Sequence, residues 1–150
     1  LDAVRNDVLD IIATDHAPHT WEEKQNSYFK APSGVPLVQH SLQALLELYH
    51  NGVFSLETIV KKTSHAVAER FQVQDRGYIR EGYFADLVLL DLGKPYVVND
   101  SNLLYLCGWS PFNGYRFQST IEMTLVNGQI AWQNGQVTDQ VLGKRLTFNR

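Results

Sequence analysis

Hydrophobic and polar residues follow different periods in different parts of this 150-residue chain, and these periods predict its elements. The apolar, β-branched run at 8–13 ends in polar residues, which predicts a buried strand. Residues 14–36 hold three of the five prolines and no sustained periodicity, which predicts a long loop. Apolar residues three and four apart over 37–50 predict an amphipathic helix that ends at Asn51-Gly52.

Two serines mark the predicted starts of further helices. Ser55 has Thr58 three residues later and predicts an N-cap for a helix over 56–62. Ser64 predicts the cap of another short helix over 65–71. After the opening strand and the long loop, the middle of the chain is therefore predicted to be helical.

In the second half of the chain the pattern becomes that of strands. A dense apolar run predicts a strand at 84–90. Asn127-Gly128 and Asn134-Gly135 lie between β-rich runs, and each pair predicts a hairpin turn. The change of pattern predicts two units, one over 1–72 and one over 73–150.

Composition narrows the classes of function. The formal net charge is −3 and Lys and Arg do not cluster, which argues against a nucleic-acid partner. No apolar run approaches the roughly 18 residues that a membrane span needs. The single cysteine, Cys107, excludes an internal disulfide and is compatible with the cytoplasm, where we expect the protein. Because the sequence starts at Leu1 as if in the middle of a domain, we expect it to be part of a longer protein.

Residues 14–24, TDHAPHTWEEK, carry the candidate chemistry. Asp15 would follow a strand at the mouth of a site, where a carboxylate can ligate a metal and hold a proton. His16 and His19 add imidazoles, which bind metals, protons or, when charged, anions. Pro18 stiffens the bend and would hold Asp15 and His19 in fixed relative positions.

Simpler roles for the same residues stay open at this point. Asp15 can cap a turn without catalytic function, and one Asp followed by one His supplies fewer ligands than a metal requires. A loop histidine such as His16 is more often a surface residue than a ligand. His40, His50 and His65 lie on predicted helices, where we expect them to pack or to face solvent.

The segment ATDHAPHTWEEK resembles a signature of the dihydroorotases. Its matching residues are Ala13, Thr14, Asp15, Ala17, Pro18, His19 and Lys24. The segment KAPSGVPLVQHSL is similar to the family's next substrate loop, and GYIREGYFADLVLLDL to the small β-domain of the amidohydrolase superfamily. CGWSPFNGYRFQSTIEMTLVNGQI is similar to the family's closing segment. One departure is Ser64-His65-Ala66, where members often have Asn-Pro-Ala; we expect it in a helix cap, outside the chemistry.

The resemblance implies an α/β fold built from two pieces. Residues 1–72 would be the last strand, substrate loop and trailing helices of a metal-dependent (β/α)8 barrel, and 73–150 part of a small C-terminal β-sandwich domain. Dihydroorotases hold a binuclear zinc site that uses a His-x-His pair, in many members a carboxylated lysine, and two further histidines. No His-x-His occurs in this sequence. We therefore interpret the chain as the C-terminal third of a dihydroorotase.

The resemblance also implies roles for four residues. Asp15 would ligate zinc and, as general base and acid, relay a proton between the attacking water and the ring nitrogen. His19 would bind the carboxylate of the small-molecule substrate, dihydroorotate or carbamoyl-aspartate. Ala17 and Gly34 would add backbone contacts to that substrate. His16 has no essential role in this interpretation.

Two other functions fit the same segments. Dihydropyrimidinases and allantoinases share the barrel, the metals and the terminal β-domain, and the Ala-Pro-His after Asp15 is what discriminates against them. An inactive homologue that assembles with a partner enzyme is the second alternative. We expect the isolated chain to be inactive. Because a lone barrel strand has unpaired edges, we also expect it to self-associate or to leave residues 1–36 poorly ordered.

Overall fold

The computed structural model describes residues 1–140 and 143–149, with α-helices in the first half and antiparallel strands in the second. The helices are α1 (Asp2–Arg5), α2 (Trp21–Lys24), α3 (Ser41–His50), α4 (Leu56–Val60) and α5 (Ala66–Phe71). The strands are β1 (Leu87–Asp91), β2 (Tyr96–Val97), β3 (Arg116–Phe117), β4 (Thr120–Val126), β5 (Gln129–Gln133) and β6 (Gln136–Val137). A single 3₁₀ turn, Asp100–Asn102, precedes the segment that leads to β3.

The strand predicted at 8–13 is wrong. Across the described residues no strand includes this run, which follows α1 as bends and irregular backbone. Strands form by pairing with a neighbouring extended segment, and this run instead meets a helix: Ile12 donates its N–H to the carbonyl of Lys62 at 3.1 Å. Within the run, Ile12 contacts the core beside α3, whereas Val8 and Leu9 stay exposed.

α3 confirms the helix predicted over 37–50, although it begins at Ser41. Its buried positions are Gln43 and Leu46, which lie three residues apart on the inner face. The N–H of Asn51 returns to the carbonyl of Glu47 at 3.0 Å and ends the helix at the predicted Asn-Gly pair. Residues 37–40 precede the helix as a turn rather than as its first turn.

The helices after α3 form one continuous rod rather than two. Ser55 caps α4 as predicted, because its Oγ accepts the N–H of Thr58 at 3.2 Å. The cap predicted at Ser64 is wrong: α4 continues through a π-helical segment, Lys61–His65, directly into α5. The Ser64 hydroxyl instead donates to the carbonyl of Gly77 at 2.9 Å and ties the rod to the segment before β1.

Asp7 anchors the opening segment to this rod. The Lys62 ammonium is almost fully buried and lies 2.7 Å from the Asp7 carboxylate, while Lys61 reaches the same carboxylate at 2.8 Å. The two hydrogen bonds lower the pKa of Asp7 to about 2. A buried ammonium needs such a partner, so Lys62 and Asp7 hold residues 1–12 against the helices.

The strands β1, β4, β5 and β6 form one antiparallel sheet in that order, and β2 pairs separately with β3. The strand predicted at 84–90 is confirmed in part as β1, which begins at Leu87 after an irregular stretch at 84–86. Both predicted hairpins are also confirmed: Asn127 and Asn134 have φ of +53°, and the glycines that follow have φ of +80° and +78°. Positive φ at both central residues is the geometry of the type I′ turn that suits a twisted hairpin. Two-residue strands such as β2 and β3 carry too little alternation to be predicted.

Two buried clusters hold the helices to each other and to the sheet. Leu46, Phe54 and Ile59 form the core between α3 and α4. The second cluster lies where α3 meets β3, and at its exposed edge the Glu47 carboxylate accepts the backbone N–H of Gln118, the residue after β3, at 2.7 Å. Helical and strand regions therefore share an interface, and the division at 72/73 stays a prediction. Residues 141, 142 and 150 of the second unit lie outside the described residues.

None of the helices within 1–140 and 143–149 is long and apolar enough to cross a lipid bilayer.

His40 is the buried polar centre of the second cluster. Its side chain is fully buried, and the rings of Tyr96, Tyr105, Phe112 and Phe117 surround it with centroids 5.8–6.4 Å away. Its Nε2 has no hydrogen-bond partner among the described residues. Burial lowers the pKa of His40 to about 4, because the charged form cannot be solvated there.

We predict that His40 makes the fold acid-sensitive. The unfolded chain binds a proton at this site below about pH 6.5 and the folded chain only near pH 4, so stability falls as pH drops through that window. The loss amounts to about 3 kcal/mol. His40→Leu should flatten the dependence of the urea midpoint between pH 7 and pH 4. His65→Leu is the matched control and should keep the wild-type slope; an equally steep slope in His40→Leu would contradict the assignment.

Candidate functional site

Asp15 lies at the start of the loop over 14–36 and has an unusual backbone conformation. Its φ is +47°, in the left-handed region that Asp tolerates better than most residues because its short side chain can bond locally. The residue is exposed. The backbone therefore presents the carboxylate outwards from the loop, where a ligand can reach it.

Ala17 and Gly34, two of the predicted substrate contacts, meet directly across the loop. The N–H of Ala17 donates to the carbonyl of Val35 at 3.3 Å. Gly34 has φ of +91°, and a Cβ placed on it would lie 2.6 Å from the Cβ of Ala17. Only glycine fits this approach, so the close contact explains the Gly34 of the sequence.

Lys24 holds the two sides of the loop together. Its ammonium donates to the carbonyls of Pro32 at 2.7 Å and Gly34 at 3.1 Å. Both bonds are partly buried, and hydrogen bonds from a charged donor are stronger than neutral ones. The signature lysine is therefore a structural clamp that sets the position of Gly34.

His19 lies where the loop enters α2. The next residue, Thr20, caps the helix: its Oγ1 accepts the N–H of Glu23 at 3.3 Å, and the Glu23 carboxylate accepts the N–H of Thr20 at 2.8 Å. That backbone bond lowers the pKa of Glu23, and the nearby His19 adds to the effect. Glu23 Oε2 also lies 3.6 Å from Nδ1 of His19. The capping box thus keeps an ionised carboxylate beside the His19 ring.

His16, expected to have no essential role, anchors the loop. Its Nδ1 accepts the backbone N–H groups of Leu37 at 3.0 Å and Val38 at 3.3 Å. Its ring stacks on Tyr105 with centroids 5.6 Å apart. A ring nitrogen that accepts hydrogen bonds carries no hydrogen of its own. Because the lone pair of Nδ1 is used by these two backbone hydrogen bonds, this nitrogen is unavailable to a metal.

The structure brings the four predicted site residues onto one loop but does not assemble a metal site from them. Ala17 and Gly34 touch, and His19 lies two residues from Ala17 beside Glu23. Within the described part of the chain, no three His, Cys, Asp or Glu side chains gather as a metal site. Asp15 fits one ligand of such a site and no more, so the residues present do not fit a zinc pair without others.

Three contacts to the site were not expected from the sequence. The sequence indicated Lys24 only as a residue that matches the signature, and it assigned no role to Tyr105 or Trp109. The Trp109 indole N–H donates to the carbonyl of His19 at 2.7 Å. The CGWSPF segment, which includes Trp109, was the available signal, but contacts across 89 and 90 residues of sequence cannot be deduced from one chain.

An apolar cavity of about 530 Å³ opens between residues 12–14 and the Leu42, Leu45 and Leu48 face of α3. Its lining is largely apolar, and apolar side chains of this kind gain stability when they are covered.

The Amidohydrolase family matches residues 1–131 of the sequence. The chain belongs to the amidohydrolase family. It is 38% identical over 130 residues to a protein named dihydroorotase from Halobacterium salinarum, covering 87% of this chain and 31% of that protein. It is 32% identical over 142 residues to a protein named allantoinase from Desulfitobacterium hafniense, covering 94% and 32%. The resemblance noted in the sequence is thus confirmed, and the chain spans about a third of these relatives.

Solved structures give the same fold. The L-hydantoinase (dihydropyrimidinase) of Arthrobacter aurescens matches with a TM-score of 0.84 and 28% identity, over 91% of this chain and 31% of that one. The dihydropyrimidinase of Brevibacillus agri matches with a TM-score of 0.81 and 26% identity, over 90% and 31%. The mixed α/β arrangement of helices and sheet is therefore an arrangement found within amidohydrolases.

We predict that Lys24→Met loosens the site loop. Losing two charge-assisted bonds should lower the local opening free energy by about 2 kcal/mol, so the Ala17 amide should exchange roughly tenfold or more faster with solvent hydrogen. Hydrogen exchange followed by mass spectrometry over residues 14–36 measures this. Lys30→Met is the matched control, because the exposed Lys30 ammonium makes no described hydrogen bond or ion pair. Equal exchange rates in the two variants would refute the clamp.

Proposed function

We propose that the whole protein to which this chain belongs is a dihydroorotase, a metal-dependent cyclic amide hydrolase of pyrimidine biosynthesis in the cytoplasm. It would interconvert carbamoyl-aspartate and dihydroorotate. In hydrolysis, the oxygen of water bonds to the ring carbonyl carbon, the C–N bond breaks and the nitrogen takes a proton; cyclisation is the reverse. The observation that carries the proposal is the loop that displays Asp15 and His19 four residues apart, since this reaction needs a proton carrier and a reader of a carboxylate.

Asp15 would hold the proton in transit. Its carboxylate is exposed at a left-handed turn, where it can take a proton from water and return it to the leaving nitrogen. His19 would bind the substrate carboxylate through Nε2, because its Nδ1 faces Glu23 at 3.6 Å. Ala17 lies between Asp15 and His19 in the sequence and Gly34 touches Ala17, so the backbone of both would contact the ring.

We propose that a binuclear zinc centre, ligated in part by Asp15, completes the site. Such a centre polarises a carbonyl and makes water nucleophilic near neutral pH. Because Asp15 is the single ligand this loop offers, the others would come from elsewhere in the whole protein. The family assignment supports a metal, and the exposed position of the Asp15 carboxylate supports its role as a ligand.

We further propose that residues 1–72 are the closing part of a (β/α)8 barrel and 73–150 part of a small β-domain. Two features support this architecture. Val8 and Leu9 are apolar yet exposed, which suits a segment that further parts of the whole protein would cover. The cavity of about 530 Å³ beside α3 is apolar and open, which suits a helix that covers a barrel.

The alternative function is hydrolysis of another cyclic amide, as in the relatives named allantoinase and dihydropyrimidinase. The overall fold does not separate these functions, because proteins named dihydroorotase, allantoinase and dihydropyrimidinase all resemble this chain. The position of His19 favours dihydroorotase, because a histidine supported by a carboxylate suits an anionic substrate group. A catalytically inactive homologue that assembles with a partner enzyme is the third candidate.

We predict that the whole protein with added zinc hydrolyses dihydroorotate in preference to allantoin and 5-substituted hydantoins. Asp15→Asn should lower kcat about 10²–10⁴-fold, since it removes the proton carrier. His19→Asn should raise KM for dihydroorotate while leaving any weak hydantoin turnover nearly unchanged. A preference for a neutral ring, or an inactive wild-type protein that contains bound metal, would contradict the proposal.

The isolated 150-residue chain should be inactive and self-associating. It carries one of the proposed metal ligands and leaves apolar surface open beside α3. Assay with added zinc and multi-angle light scattering measure both properties. Turnover above background, or a monodisperse monomer with protected amides at 8–15, would contradict this prediction.

A further inference from the structure

The segment over 105–112 lies beside the candidate site loop, and its Tyr105 and Trp109 contact the two histidines of that loop. Tyr105 stacks on the ring of His16 with centroids 5.6 Å apart. Its hydroxyl accepts the backbone N–H of Gln39 at 3.0 Å. Trp109 donates its indole N–H to the carbonyl of His19 at 2.7 Å. A segment about 90 residues away in sequence therefore supports both histidines of the signature.

The backbone of His19 makes few hydrogen bonds other than the one from Trp109. Among the described residues, the indole is the sole donor to the His19 carbonyl. Residue 19 stands between the bend at Pro18 and the cap of α2 at Thr20. The carbonyl carbon is bonded to the Cα of His19, so a hydrogen bond that holds this carbonyl restricts the backbone from which the imidazole projects.

The indole itself is held in place from a second side. Trp109 is half-buried and packs against Trp21 of α2, with centroids 5.9 Å apart and planes tilted by 58°. A partly buried indole N–H needs an acceptor, and this one takes the carbonyl of His19. Ring packing and the hydrogen bond together define one orientation for Trp109 relative to the loop.

From these contacts we infer that Trp109 is a positioning residue: it orients His19 so that Nε2 faces the substrate carboxylate. The inference rests on the proposed function for the identity of that substrate, but not for the link between Trp109 and His19. Glu23 acts on the ring at Nδ1, 3.6 Å away, and Trp109 acts on the backbone. The two contacts leave Nε2 as the nitrogen that recognises an anion.

Trp109→Phe tests the inference in the whole protein, because it keeps an aromatic ring and removes the N–H. Trp21→Phe is the matched control: it makes the same chemical change in the packing partner, whose indole donates no described hydrogen bond. NMR relaxation of the His19 ring, labelled with ¹³C and assigned by its loss in His19→Asn, reports positioning without any assay. Trp109→Phe should lower the order parameter of this ring and Trp21→Phe should not. An unchanged His19 ring in Trp109→Phe would overturn the inference, whatever the activity.

Kinetics give the second measurement. Trp109→Phe should raise KM for dihydroorotate about fivefold to tenfold, the usual effect of one lost hydrogen bond, and change kcat less than threefold. In a His19→Asn background the same substitution should have almost no further effect, because the positioned ring is gone. A general folding defect would instead lower kcat in both backgrounds and overturn the inference. A wild-type protein without dihydroorotase activity would refute the proposed function, while the NMR result would still decide the role of Trp109.

Discussion

The candidate site depends on the two hydrogen bonds that the Lys24 ammonium donates across its loop. The loop over 14–36 contains one helical turn and no strand, so few backbone hydrogen bonds of its own define its shape. Lys24 donates to two carbonyls on the far side of the loop and brings Gly34 against Ala17. A loop of this length pays an ordering entropy for each fixed residue, and two charge-assisted bonds at one point offset part of it.

The rest of the chain supports that loop from outside. His16 accepts two backbone N–H groups at the entry to α3, and Trp109 and Tyr105 support it from the segment before β3. α3 in turn is joined to β3 through the Glu47 carboxylate. The segment that leads into the small β-region therefore contributes to the candidate site, because its Trp109 holds the backbone of His19, which is proposed to bind substrate. This arrangement explains how residues far apart in sequence belong to one site.

Local sequence signals predicted the elements that depend on local chemistry. Asn127-Gly128 and Asn134-Gly135 predicted their hairpins because few other residues accept positive φ at both turn positions. The cap predicted at Ser55 is present. The cap predicted at Ser64 is absent, because a π-helical turn continues the helix through this residue. The apolar run at 8–13 did not form a strand, since pairing depends on neighbours that no local pattern describes. The signature predicted which residues share a loop, but the roles of Lys24 and Trp109 depend on tertiary contacts.

A crystal structure of the whole protein with zinc and dihydroorotate would test the central claim most directly, namely that this loop presents one metal ligand and one carboxylate reader. The account predicts a metal about 2.0–2.2 Å from an Asp15 oxygen and the substrate carboxylate about 2.7–2.9 Å from Nε2 of His19. It also predicts that Lys24 and Trp109 keep their present bonds to the loop. A substrate carboxylate held by other residues, with Asp15 remote from any metal, would contradict the account.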